Sequence, residues 1–103
     1  MSEEKAQSKA EGGPGKTLYY LKAFSLHSLE EVRNVKEDVG KDMIVIVRVT
    51  PLAEKNLSEL SKAVTELYEF ATSIGGDIAR LGEERIVITP PRVRIWRGFS
   101  QDQ

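Results

Sequence analysis

The sequence predicts a small α/β domain of the α+β sandwich kind. Its elements run β-α-β-α-β-β-β, with two helices on one face of a roughly five-stranded sheet. Three observations lead there. At 103 residues the chain has the length of one domain. Short β-rich runs alternate with two stretches of helical periodicity before the chain turns to strands alone. One run, MIVIVRV at 43–49, is apolar on both alternating faces apart from Arg48, as in an interior strand covered on both sides.

The elements follow in order. Residues 1–16 contain no apolar side chain larger than alanine after Met1 and are expected to form a disordered tail or linker. TLYYLKAF (17–24) is the first strand. Ser28 and Glu31 have capping-box spacing at the start of a helix, with Leu29, Val32, Val35 and Val39 on its apolar face and Gly40 as its left-handed exit. After the strand at 43–49, Pro51 and Asn56 are alternative starts for the second helix, Asn56 having Glu59 three residues on. Leu57, Leu60, Val64, Leu67, Ala71 and Ile74 make this helix the clearest in the chain, and Gly75-Gly76 end it as a structural turn. DIARL (77–81), a turn at Gly82-Glu83, RIVIT (85–89), the break at Pro90-Pro91 and VRIWR (93–97) complete the sheet, with a flexible C-terminal tail at 98–103.

Two helices can cover only one face of such a sheet, yet the strands are apolar on both. Leu18 and Tyr20 oppose Tyr19 and Leu21, and Ile44 and Ile46 oppose Val45 and Val47. The expected cover is a second copy of the same sheet, giving a homodimer.

Composition narrows the function. The chain is 40% hydrophobic and 30% charged, as folded proteins are. Its net charge of −1 disfavours binding nucleic acid through a global positive field. Without cysteine there is no disulfide, thiolate nucleophile or cysteine zinc site, and with no signal peptide the expected location is cytoplasmic. No apolar run approaches the ~20 residues that span a bilayer.

Candidate chemistry is sparse. Ala10 to Thr17 (AEGGPGKT) fits a relaxed P-loop pattern but precedes a strand instead of a helix, so no nucleotide site is expected. His27, the one histidine, sits beside Ser25 and Ser28, which read as turn and cap residues. Asp38, Asp42, Glu30 and Glu31 read as solvated helix-end charges. No catalytic residues, metal ligands or cofactor are expected, and the chain reads as a binding protein rather than an enzyme. Arg80, Arg85, Arg92, Arg94 and Arg97 crowd the last strands around Trp96. They suit either protection of a sheet edge or an anionic partner, an acidic peptide or nucleic acid.

The segment IGGDIARLGEERIVITPP (74–91) resembles the signature region of the SepF family of cell-division adaptors. The long helix ends in Gly-Gly, a short strand and glycine-containing turn follow, and an apolar strand ends in Thr-Pro. The resemblance extends over about 17–97 and is nearer the archaeal branch. It implies a homodimer or a higher polymer that binds the C-terminal tail peptide of FtsZ and anchors FtsZ filaments to the membrane at the division site. It also implies that Arg80 and Ile86 help form the peptide pocket, at positions where lysine and phenylalanine are the family's residues. Family members usually begin with an amphipathic membrane helix, and residues 1–16 have none. The membrane is therefore expected to be reached through a segment missing here or another protein. The alternative is a small Alba-like nucleic-acid-binding protein using the Arg/Trp-rich C-terminal strands, which steep salt dependence would reveal.

Overall fold

The computed structural model describes residues 18–98. The expected tails at 1–16 and, apart from Gly98, 98–103 lie outside the described residues, as do Thr17 and the P-loop-like stretch. The order is β1 (Tyr20–Ser25), a 3-10 turn (Leu29–Glu31), α1 (Val32–Gly40), β2 (Met43–Arg48), α2 (Thr50–Lys55), α3 (Leu57–Ile74), β3 (Ile78–Leu81) and β4 (Arg85–Ile88).

The sheet runs β1-β2-β4-β3. β1 is parallel to β2, and the other two pairings are antiparallel. This places the doubly apolar β2 in the interior and leaves β1 and β3 as edges. Val45, Val47, Ile86 and Ile88 are buried on one face, together with Val32, Val35 and Val39 of α1, Leu52 of α2, and Ala63, Leu67 and Ala71 of α3. Burying a side chain such as Leu67 or Leu52 stabilises the fold by about 1.5–3 kcal/mol. The helical periodicities thus find the faces they predict, except that Leu57, at the very start of α3, is exposed.

Among the described residues no helix covers the opposite sheet face. Leu21 is 67% exposed and Leu81 49% exposed, while Ile44, Ile46 and Val87 between them are only half-buried. Across this face Leu21 is registered with Ile44, and Ile46 with Val87.

Both candidate starts of the second helix are used. Pro51 lies at the beginning of α2, and the Asn56 side chain accepts from the Glu59 N–H at 3.1 Å to cap α3. Four other expectations are corrected. The Ser28 side chain makes no capping bond; the Glu31 carboxylate instead accepts from the His27 backbone N–H at 2.7 Å, one residue earlier than a capping box requires. Gly40 is the last residue of α1, and the left-handed position falls on Asp42 (φ 68°), whose short polar side chain tolerates it. Asp38 is not a solvated charge: it is buried, with Oδ2 2.8 Å from the Lys22 ammonium of β1, in an ion pair rather than an aligned hydrogen bond.

The last correction is the strand count. Among the described residues the sheet has four strands, and VRIWR (93–97) is not one of them. Pro90 and Pro91 supply no N–H, Arg92 takes a positive φ of 73°, and the Ile95 N–H is taken by a side chain, Asp77.

Candidate functional site

The Gly-Gly junction shows how local chemistry builds the site. Gly75 caps α3 in the left-handed conformation (φ 77°), returning the Gly76 N–H to the Ala71 carbonyl at 2.9 Å. Gly76 then passes so close to β4 that a Cβ there would collide with the Thr89 carbonyl oxygen. This close approach launches β3 beside β4.

Asp77, the next residue, holds the C-terminal segment. Its Oδ1 accepts from the Ile78 N–H at 2.8 Å and its Oδ2 from the Ile95 N–H at 2.9 Å. Arg97 adds a two-pronged contact to the same carboxylate at 3.1 and 3.2 Å and also donates to the Ile78 carbonyl at 2.6 Å. Burial pushes the Asp77 carboxyl up, but the Ile95 N–H, Arg97 and the Ile78 N–H together outweigh it and hold the group below the usual aspartate range. Buried Thr89 completes the clasp: its hydroxyl accepts from the Asp77 N–H at 2.8 Å and donates to the Val93 carbonyl at 2.7 Å. Arg94 donates to the Gly76 carbonyl at 2.8 Å. Two of the five C-terminal arginines therefore fasten residues 90–97 to the start of β3.

Arg80 and Ile86 are registered across the β3–β4 pair, on the sheet face that carries the core. They line a groove of about 360 Å³ at the helix–sheet junction, with Val49 and Ala53 on one side, Leu60, Val64 and Tyr68 of α3 on the other, and Glu83 to Arg85 at its mouth. A second cavity, about 460 Å³, lies along the outer edge of β3 between that strand and Ile95, Trp96 and Arg97. Tyr68 and Arg80 line both. Ile86, 4% exposed, forms the groove's floor; Arg80 is exposed at its rim. The arrangement offers an apolar trough, a phenol and a guanidinium, which suits an extended chain carrying apolar and acidic side chains.

Sequence reasoning missed Asp77 and Tyr68. Asp77 acts on partners 18 and 20 residues away, and no local spacing announces such a role. Tyr68 stands four residues after Val64 and eight after Leu60, on the row of α3 that flanks the groove, and that spacing was a signal available to find it. His27 lies apart from the groove, its Nδ1 3.7 Å from Glu31. Among the described residues no group of three or more His, Asp or Glu side chains is placed to hold a metal ion, and no helix is long and apolar enough to cross a membrane.

The described residues thus form a small α+β domain whose sheet carries an apolar, arginine-rimmed trough at its helix junction. The family model described as Cell division protein SepF matches residues 21–95, and the chain belongs to that family. Solved structures are similar to it over most of its length. A SepF-like protein from Pyrococcus furiosus is 28% identical, with a TM-score of 0.71 over 79% of this chain and 98% of that one. A SepF-like protein from Archaeoglobus fulgidus is 24% identical, with a TM-score of 0.70 over 78% of this chain and 94% of that one. Cell division protein SepF from Methanobrevibacter smithii, in complex with FtsZ-CTD, is 17% identical, with a TM-score of 0.69 over 77% of this chain and 99% of that one. Among curated proteins no sequence match is found.

Proposed function

We propose that this chain is a homodimeric cell-division adaptor that binds the C-terminal tail peptide of FtsZ and helps link FtsZ filaments to the membrane at the division site. It acts by binding rather than catalysis. The observation that carries the reading is the groove in which Arg80 stands opposite Ile86 at the helix–sheet junction of a SepF-family domain. The Methanobrevibacter relative, which has the same fold and is in complex with FtsZ-CTD, supports the choice of partner. Arg80 pairs with an acidic tail residue, and Ile86 keeps an apolar wall where phenylalanine would add an aromatic face.

The apolar outer face, with Leu21, Ile46 and Leu81, is where the two protomers meet. A dimer presents two peptide sites, and divalent capture on a filament raises the effective concentration so that weak single-site binding suffices. The adaptor domain spans about residues 17–97. It works in the cytoplasm at the periphery of the membrane, reached through another segment or another protein.

Calorimetric titration with a synthetic FtsZ C-terminal peptide tests the reading. Saturable binding at one peptide per protomer is expected. Absence of heat with folded protein at high peptide concentration sinks it.

A further inference from the structure

The outer edge of β3 is closed at one end and open in the middle. The Asp77 N–H is bonded to the Thr89 hydroxyl, and the Asp77 carbonyl accepts from the Thr89 N–H at 2.9 Å, so the backbone groups of Asp77 face β4. Strand alternation turns Ala79 and Leu81 toward β4 as well, and Ile78 and Arg80 outward. The Ile78 groups are both satisfied by side chains: Asp77 accepts from its N–H, and Arg97 donates to its carbonyl. The next outward pair, the N–H and C=O of Arg80, faces the 460 Å³ cavity, which runs along this edge.

We infer that the Arg80 backbone is a one-residue docking point for an extended peptide, which adds itself to β3 as a short fifth strand. The inference rests on the peptide-binding reading above and supplies its backbone mode. Strand addition gives affinity through main-chain hydrogen bonds, and specificity through side chains that alternate between the two faces. The surroundings suit that alternation. On the helix side lie Tyr68 and the Arg80 guanidinium, leading into the groove floored by Ile86. On the other side lies Trp96, a residue 76% exposed, while Ala79, Leu81 and Val87 lie on the sheet face proposed to meet a second copy. The guanidinium at the junction of both cavities favours an acidic residue in the arriving strand.

A peptide fits better than a second copy of this chain. The clasp of Asp77 and Arg97 blocks the edge at Ile78, and the chain turns away at Gly82 (φ 78°). One outward residue remains: its N–H and C=O suffice for the two hydrogen bonds of a single bridge to a peptide, but not for the longer ladder that would join two sheets edge to edge.

The test is an N-methyl scan of a synthetic FtsZ C-terminal peptide titrated into the full chain, which removes one backbone donor at a time. Methylation at one amide, the one that donates to the Arg80 carbonyl, is expected to weaken binding about tenfold, the size of one hydrogen bond. In parallel, exchange of the Arg80 amide proton, followed by NMR, is expected to slow about tenfold or more when the unmodified peptide saturates the protein. If the unmodified peptide binds but every methylated form stays within about twofold and Arg80 exchange is unchanged, strand addition is overturned while the peptide-binding reading stands. If the unmodified peptide does not bind, both fall.

Discussion

Arg80 and Ile86 face each other across the antiparallel β3–β4 pair, six positions apart in sequence and joined through the tight turn at Gly82. The short hairpin thus sets a cation at the rim of the trough directly over an apolar floor. In a non-hydrogen-bonded antiparallel pair the two side chains are closest, with Cα atoms about 4.5 Å apart.

Reversing the charge at the rim tests the cation. Arg80→Glu is expected to weaken FtsZ-peptide binding by about one to two orders of magnitude, because it removes a charge-assisted hydrogen bond and repels an acidic tail. Arg80 is exposed, so the thermal midpoint is expected to stay close to that of the parent. Calorimetry and a melting curve check the two halves, and unchanged affinity removes Arg80 from the site.

The outer sheet face is open to a similar approach. Leu21→Glu and Ile46→Lys each place a charge on the face proposed to pair with a second copy. A folded monomer is expected by light scattering where the parent is a dimer, with circular dichroism unchanged. A parent that is already a well-folded monomer at micromolar concentration ends the dimer proposal.

The two glycines of the junction differ in kind. Gly75→Ala has open space around the new Cβ and suffers only from its positive φ, a cost of about 1 kcal/mol. Gly76→Ala drives a Cβ into the Thr89 carbonyl oxygen and is expected to cost about 2–3 kcal/mol or more. Chemical denaturation of both variants reads the order, and equal losses contradict the close approach.

Asp77 gives the fold an acid-sensitive clasp. Its carboxyl titrates lower in the folded chain than in the unfolded one, so its contribution is full above the ordinary aspartate range and disappears as pH falls through the folded value, below about pH 4. Asp77→Asn is expected to destabilise at pH 7 by about 1–2 kcal/mol, mainly through the weakened bonds from the Ile95 and Ile78 N–H groups. Arg97 is partly exposed and its ion pair adds little. The stability difference between parent and variant, measured by urea unfolding, is expected to shrink from pH 6 toward pH 3. A constant difference across that range contradicts the role given to Asp77.

Local patterns sufficed for most of the elements. Valine and leucine spacing wrote α1 and α3, the unbroken apolar run wrote β2, and Gly75-Gly76 marked the end of α3, because each signal lies within a few residues of what it controls. The same holds for the 74–91 motif, whose hairpin brings Arg80 and Ile86 together by connectivity alone. Asp38 and VRIWR defeated that kind of reading. Whether Asp38 is wet or buried depends on Lys22, a neighbour only once β1 is beside α1. Whether 93–97 pairs as a strand depends on Asp77, which takes the Ile95 N–H first.

Taken alone, the chain's order of residues determined its class, its sequence of elements, its apolar excess on two sheet faces and its family motif, since these follow from propensity and periodicity. Tertiary structure alone decided that the sheet has four strands among the described residues, that arginines are spent on a clasp, and that a second cavity lies along β3 beside the trough. Those outcomes rest on hydrogen bonds between groups some twenty residues apart, and such partners are chosen by three-dimensional packing rather than by any pattern along the chain.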